Sequence, residues 1–418
     1  DTPNFIANRI GVYGMMATLE EARKRKISIE DVDLLTGSLI GRPKSATFRT
    51  ADVVGLDTMC FVANTAYENC INDSERDIFK IPAYLKSMVD NGWVGQKSGQ
   101  GFYKKIDKGV IHSLDLETLE YSEQKKKRYS AVRLAKENIN LVDRLSALMS
   151  TDDVAGDFVW ALTARALIYS ANRIGEVSDD ILNIDRAMKW GFGWELGPFE
   201  MWDALGFVDT LERMVSSGYT VPKSILKLKN SGFTSFYKRV KGVDSYLDIE
   251  SEKYIAIKKS DKEISFNDYS HNNGLIDKHW SASIVDLGDG VAGVNLHSVL
   301  QAQLNPIDGS VLQTLFKAQN WVAENGYKGL VISSDSSNFC AGANLNMILN
   351  SVYRQDWDEL VLTVKTMQDI LQGLRFSPFP VVAAPFGLVL GGGFEIIGAC
   401  DKIVAAGESY IGLVEVGV

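Results

Sequence analysis

Pro385-Phe386-Gly387-Leu388-Val389-Leu390-Gly391-Gly392-Gly393-Phe394-Glu395 decides how the C-terminal part of this 418-residue chain folds. Val381, Val382, Leu388, Val389 and Leu390 make an apolar, largely β-branched run that drives into three glycines. A glutamate then opens the amphipathic stretch Glu395–Cys400. The pattern predicts a buried strand, a tight glycine turn and the first turn of a helix. Such a turn leaves backbone N–H groups unpaired in front of a helix dipole, where negative charge can sit. Glycine allows a ligand to approach the backbone because no Cβ intervenes. No Lys-Ser/Thr follows, as a P-loop requires, so the expected ligand is a carbonyl oxygen rather than a phosphate. Taken alone, the glycine run is an ordinary structural turn.

Upstream of it the chain alternates short strands and helices. Strands are expected at Ala282–Leu287, Val291–Leu296, Gly329–Ser334 and Val381–Leu390, with helices near Ser310–Asn325 and Trp357–Phe376. That alternation predicts an α/β unit with a largely parallel sheet. Ser337-Asn338-Phe339-Cys340-Ala341-Gly342-Ala343-Asn344-Leu345 is a second small-residue loop, following the strand Gly329–Ser334 and leading into a helix. Neighbouring parallel strands bring such loops side by side at their C-terminal ends. One amide from each loop would make an oxyanion hole. Glu395 and Glu415 are the nearby carboxylates. Glu395 lies just after the glycine turn, and Glu415 lies in the apolar Ile411–Val418, where a buried glutamate suits general acid/base work.

The N-terminal part reads as helical. Phe5, Ile6, Ile10, Tyr13, Met16 and Leu19 recur at helical spacing, and Ser28 with Asp31 signals the next helix start. Gly92–Tyr103 is glycine-dense and reads as a loop that Phe102 and Tyr103 pack back on the helices. A similar unit recurs: Phe199, Asp203 and Gly206 repeat the spacing of Phe48, Asp52 and Gly55 at an offset of 151. This is a degenerate two-copy repeat. Ala-Asn-Arg-Ile-Gly also occurs twice, at 7–11 and 171–175, but out of that register, and is taken as coincidence. Lys104–Ser122 alternates weakly, as a hairpin excursion would. The charge-mixed stretch after Phe236 shows no strong period and reads as a linker.

A formal charge of −9 and a pI near 5.2 argue against a nucleic-acid partner. Cys60, Cys70, Cys340 and Cys400 form no CxxC and no metal spacing with the four histidines, so no metal is expected. Scattered thiols suit a reducing, cytoplasmic compartment. No apolar run reaches membrane-spanning length. His112, His271, His279 and His297 read as surface or packing side chains. The chain begins at Asp1 inside a motif and ends at Val418 just past a candidate catalytic residue. It is therefore expected to be an interior piece of a longer polypeptide.

Phe-Cys-Ala-Gly-Ala-Asn-Leu, Gly-Leu-Val-Leu-Gly-Gly-Gly-Phe-Glu and Gly-Leu-Val-Glu, in that order, resemble the signature blocks of the crotonase (enoyl-CoA hydratase/isomerase) superfamily. The resemblance implies that the amides of Cys340 and Gly392 hold the thioester oxygen of an acyl-CoA. Ala341, Gly342 and Ala343 would line the substrate. Glu395 and Glu415 would be the two carboxylates that add water across a 2-enoyl-CoA. Asn344 departs from the aspartate more usual there. Asp1–Arg9, Val53–Thr58 and Gly99–Tyr103 resemble the C-terminal helical domain of 3-hydroxyacyl-CoA dehydrogenases, in which the asparagine matching Asn8 faces the substrate. The repeat's counterpart of Asn8 is Phe158, so the second copy is expected to be structural. No GxGxxG occurs, so NAD is expected to bind a domain absent from this chain.

The implied fold class is α + α/β: a duplicated all-helical dehydrogenase C-terminal domain followed by an incomplete crotonase-like ββα domain. The expected boundaries are a first helical repeat at 1–106, an excursion and connector at 107–143 and a second repeat at 144–235. A linker at 236–281 and the crotonase domain at 282–418 follow. The resemblance implies a segment of a bifunctional β-oxidation enzyme, a homo-oligomer in full-length form. The alternatives are an enoyl-CoA isomerase or an inert docking fragment.

Overall fold

The computed structural model describes residues 2–107, 109–125, 127–240, 243–260 and 262–414. It divides into two units, Asp1–Ile257 and Lys258–Val418.

In the first unit, α1 (Ala7–Arg25), α2 (Ile29–Thr36), α3 (Phe48–Val54), α4 (Leu56–Asn69) and α5 (Ala83–Asp90) are followed by the antiparallel strands β1 (Tyr103–Asp107), β2 (Val110–Leu114) and β3 (Tyr121–Glu123). Ser28 caps α2 by accepting from the Asp31 amide, and Arg23, Lys24 and Arg25 in the last turn of α1 lie at its negative dipole end. Next come α6 (Ser130–Lys136), α7 (Leu141–Met149), α8 (Val154–Asn172), α9 (Ile181–Phe192), α10 (Pro198–Ala204), α11 (Phe207–Ser216) and α12 (Lys223–Asn230). The antiparallel strands β4 (Tyr237–Val240), β5 (Val243–Asp248) and β6 (Lys253–Ala256) close the unit.

The same hydrogen-bond pattern occurs in both halves. Asp33 accepts from the Thr47, Phe48 and Arg49 amides and the Tyr103 hydroxyl, while Asp52 accepts from the Phe102 and Tyr103 amides. In the later half Asp185 accepts from the Phe199 and Glu200 amides and the Tyr237 hydroxyl, and Asp203 from the Phe236 and Tyr237 amides. Residues 236–256 are thus not a bare linker. Phe236 is fully buried, with ring centroids 5.0 Å from Phe199 and 4.9 Å from Phe207. The strands there escaped notice because one face of so small a sheet stays in water, which blurs the alternation.

Burial pushes Asp33, Asp52 and Asp203 up to about 6 and Asp185 up to about 8, against the downward pull of the donors each accepts. A carboxyl raised on folding binds its proton more tightly in the native state. Its stabilising contribution is complete below the unfolded value near 3.8 and is lost as pH rises through about 6, and for Asp185 through about 8. The urea midpoint of the first unit is therefore expected to fall between pH 4 and 8. Asp185→Asn should flatten the slope, and a midpoint that climbs over this range would contradict the assignment.

The second unit begins with the short helix α13 (Phe266–Tyr269), then β7 (Leu275–Lys278), β8 (Ala282–Asp286) and β9 (Val291–Leu296). It continues through α14 (Gly309–Glu324), β10 (Gly329–Ser333), α15 (Leu345–Tyr353), α16 (Trp357–Arg375) and β11 (Val381–Ala383). Last come β12 (Leu388–Leu390), α17 (Gly392–Gly398), β13 (Lys402–Ile403) and β14 (Tyr410–Gly412). The six-stranded sheet has the order β13-β11-β10-β9-β8-β7. Strands β9, β10, β11 and β13 run parallel, and the β7 and β8 pairings are antiparallel.

The single strand expected at Val381–Leu390 is two. β11 lies in the large sheet, whereas β12 pairs in parallel with β14 in a separate small one. Pro385 has no N–H to give a ladder, and Gly387 at φ 58° turns the chain out of it. This break moves the glycine turn off the large sheet and against the loop after β10.

Candidate functional site

Cys340 fixes the relation between the two small-residue loops. It forms an isolated parallel bridge with Val389: its amide donates to Leu388 O at 3.0 Å, and its carbonyl accepts from Leu390 N at 3.0 Å. Asn338 reinforces the join, accepting from Leu388 N at 2.8 Å and donating to Gln303 O at 2.8 Å. Buried Asn305 ties the preceding loop to the same place, donating to Phe339 O at 2.8 Å and accepting from Ser298 N at 2.7 Å. These two asparagines were missed in the sequence. The Asn305-Pro306 pair ahead of α14 was the signal that could have found the first.

β12 then runs into Gly391, whose φ of 50° and ψ of −121° form the N-cap of α17. A Cβ on Gly393 would stand 2.5 Å from Cys340 O, so helix and loop touch backbone to backbone. Gly392 is the first residue of α17, and its amide has no carbonyl one turn behind it within the helix.

The expected donor pair is therefore corrected at one member. The Cys340 amide is spent on Leu388, and Cys340 is fully buried. Ala341 gives its amide to Leu304 O at 2.8 Å, and Gly342 gives its own to Cys340 Sγ at 3.4 Å. Ala343 differs. In its parallel bridge to Ile307 the bonds are made by its neighbours, Gly342 O accepting from Ile307 N and Asn344 N donating to Ile307 O. That geometry turns the Ala343 amide away from Ile307. A Cβ built on Gly392 would lie 3.6 Å from Ala343 N, and one built on Gly342 would lie 3.8 Å from Gly392 N. The amides brought side by side are those of Ala343 and Gly392. Ala343 also lines an apolar cavity of about 730 Å³ between α14, α15 and α16.

The carboxylates stand differently from expectation. Ile396 and Ile397 face the core, and Glu395 projects from the other side of the same turn into solvent. Its carboxylate makes no hydrogen bond or ion pair among the described residues. Glu415 lies outside the described residues. Burial pushes the Cys340 thiol up to about 11, the Gly342 amide pulling it partly back, so it is no nucleophile at neutral pH. Asn344 caps α15, accepting from the Asn346 amide at 3.2 Å. His279 does have a carboxylate neighbour, Asp277 Oδ2 at 3.1 Å, but Lys317 Nζ shares that oxygen at 2.9 Å. Among the described residues no group of three His, Cys, Asp or Glu is placed to hold a metal, and no helix is long and apolar enough to cross a membrane.

In the first unit Asn8 is exposed in the first turn of α1. Its neighbour Arg9 is wholly buried, donating to Asp73 at 2.7 Å, Glu176 at 2.8 Å, the Tyr169 hydroxyl at 2.7 Å and Cys70 Sγ. Arg173 reaches the same two carboxylates, at 3.1 Å and 2.6 Å. Burial alone would raise Asp73, but the Tyr169 hydroxyl, the Glu75 amide and both arginines hold it below its usual range. The twice-occurring pentapeptide thus supplies both arginines of one cluster, and that recurrence was the signal. The described strands of this unit form only antiparallel sheets, with no βαβ crossover of the kind that holds a dinucleotide.

The model for the 3-hydroxyacyl-CoA dehydrogenase C-terminal domain matches residues 5–105, and that for enoyl-CoA hydratase/isomerase matches residues 287–418. A probable 3-hydroxyacyl-CoA dehydrogenase of Bacillus subtilis (strain 168) is 44% identical over 418 residues, 100% of this chain and 52% of that protein. A putative fatty acid oxidation complex trifunctional enzyme of Rickettsia prowazekii is 27% identical over 432 residues, 100% of this chain and 53% of that protein. The chain spans about half the length of these curated relatives. The solved enoyl-CoA hydratase of Bacillus anthracis is 24% identical, with a TM-score of 0.30, over 33% of this chain and 52% of that one. Residues 5–105 are thus a 3-hydroxyacyl-CoA dehydrogenase C-terminal domain, and residues 287–418 belong to the enoyl-CoA hydratase/isomerase family.

Proposed function

We propose that this chain is part of a bifunctional fatty-acid β-oxidation enzyme. Its C-terminal part hydrates 2-enoyl-CoA to 3-hydroxyacyl-CoA. Its N-terminal part completes an NAD-dependent 3-hydroxyacyl-CoA dehydrogenase, with Asn8 toward the substrate. The observation that carries the hydratase reading is the pair of adjacent amides, Ala343 and Gly392, at the head of α17 beside an apolar cavity. Those amides donate to the thioester oxygen. As water adds at C3, charge moves through the conjugated system onto that oxygen, so the two donors bind the enolate-like transition state more strongly than the substrate. One of Glu395 and Glu415 takes a proton from the attacking water, and the other delivers one to C2. The solvent-facing position of Glu395 at the turn leaves it open to water.

The recurring aspartate pattern supports the reading of the helical unit as a duplication. Arg9, clamped by Asp73 and Glu176, fixes the turn that carries Asn8.

Glu395→Gln is expected to lower kcat for hydration of a 2-enoyl-CoA by about 10²- to 10⁴-fold with little change in KM. Loss of the enoyl thioester's absorbance follows the reaction. Unchanged turnover would remove Glu395 from the mechanism. Glu415→Gln separates hydration from double-bond isomerisation, because isomerisation needs only one carboxylate and survives its loss.

A further inference from the structure

Two stretches of backbone flank the loop 338–344, and each positions one amide of the pair. On one side β12 runs beside 338–340 and leads through Gly391 into Gly392. On the other, Leu304 O accepts from the Ala341 amide at 2.8 Å, and Ile307 engages Gly342 and Asn344, which turns the Ala343 amide outward. The Asn338 side chain bonds both stretches. Its Oδ1 accepts from Leu388 N on β12, and its Nδ2 donates to Gln303 O, each at 2.8 Å.

That carboxamide stands in for main chain. Continued regularly from the bridge between Cys340 and Val389, a parallel ladder would have Leu388 N donate to Asn338 O. Instead Phe339 N, not Asn338 N, reaches Phe386 O at 3.1 Å, so the loop runs one residue out of register. Asn338 O faces Asn305 Nδ2 at 3.5 Å, and the side-chain oxygen serves Leu388 in its place. Gly387 leaves room for this, because a Cβ there would collide with Asn338 Oδ1.

Asn338 is half-buried, whereas Asn305 is buried and anchors the same loop to Leu296 O at 3.1 Å and Phe339 O at 2.8 Å. The conformation of the loop rests on Asn305, and the Asn338 bonds set how β12 stands against 303–307. We propose that Asn338 is a positioning residue for the reaction at this site. It acts through the two flanking stretches rather than on the substrate, and fixes the separation of the Ala343 and Gly392 amides. Two donors serve one developing oxyanion only when each is held to within about 0.5 Å. The proposal rests on the hydratase reading above and adds a residue to it.

Asn338→Ala in the full chain is expected to lower kcat for hydration of a 2-enoyl-CoA by about 10- to 100-fold, with little change in KM or thermal midpoint. A second readout reports on the amides themselves. Butyryl-CoA has no double bond to hydrate, so the infrared stretch of its carbon-13-labelled thioester carbonyl can be read in the bound state. Two donors on that oxygen lower its frequency, and Asn338→Ala should keep less than about half of the downshift. Asn338→Asp keeps the shape and the acceptor for Leu388 N, but once ionised it has no donor for Gln303 O. It should show the same losses, and serves if the alanine variant does not fold. In a chain that hydrates, the proposal requires both losses, and wild-type kcat or a full downshift in the folded variants overturns it alone. In a chain that does not hydrate, a downshift that the variants diminish defeats the hydratase reading and leaves the positioning role standing. No downshift in the wild-type protein overturns both.

Discussion

Gly392→Ala is expected to reduce enoyl-CoA hydration at least a hundredfold while the second unit stays folded. The added Cβ would meet Ile307 Cδ1 at 2.8 Å and Met367 Cε at 3.1 Å, both ends of flexible side chains that can swing aside. It would also stand 3.6 Å from Ala343 N, in the space where a thioester oxygen must sit. Gly392 is the first helical residue and shows no left-handed φ, so alanine fits its backbone. Losing one such donor costs about 3 kcal/mol of barrier, and here both amides are screened. Gly393→Ala is the contrast. Its Cβ would lie 2.5 Å from Cys340 O, backbone that the bridge to Val389 holds in place, so this variant should lose stability as well. Hydration rate and thermal midpoint, measured on both variants, separate the site from the fold. Wild-type hydration in Gly392→Ala would dissolve the assignment of the amide pair.

Arg9→Met is expected to destabilise the first unit by about 3–5 kcal/mol, because it strips a buried ion cluster of its central cation. Arg9 and Asp73 have fully buried side chains and meet at 2.7 Å. The Tyr169 hydroxyl donates to Asp73 at 2.7 Å, and its ring stacks on Tyr13 at 3.6 Å. After the substitution Arg173 alone faces the Asp73 and Glu176 carboxylates, and a buried negative charge is left short of compensation. Methionine keeps most of the volume, so the loss reports charge rather than a cavity. The exposed pair Arg23–Glu117 is the control, since Arg23→Ala should barely move the urea midpoint. If Arg9→Met shifts the midpoint no further than Arg23→Ala, the cluster is not what holds α1 against α8.

The legibility of the chain follows the range of the forces involved. Ser28 as a cap, the helical spacing through Leu19 and the glycine turn before α17 all depend on neighbours within one turn, and each appears in the structure, although α1 begins only at Ala7 and Phe5, at φ 51° and exposed, stands before it. The strands β8, β9 and β10 carry continuous apolar runs because neighbouring strands and α14 bury them. The stretch after Phe236 could not be read in this way. Its strands are short and half-wetted, and only Phe236, packed on Phe199 and Phe207, shows that they belong to the helical unit.

By itself the sequence determined which two loops meet and that glycine must stand where they do, because φ preferences and apolar periodicity are written residue by residue. Which amide stays unspent was decided only by the tertiary structure. Cys340 and Ala343 sit three residues apart in one small-residue run, yet Cys340 pairs across to Leu388 while Ala343 is turned away from Ile307. The same holds for Arg9 and Arg173, which local pattern left unrelated and which meet on Asp73 once α1 and α8 pack. A hydrogen bond to a distant strand depends on register, and register is fixed by the whole sheet rather than by any segment of it.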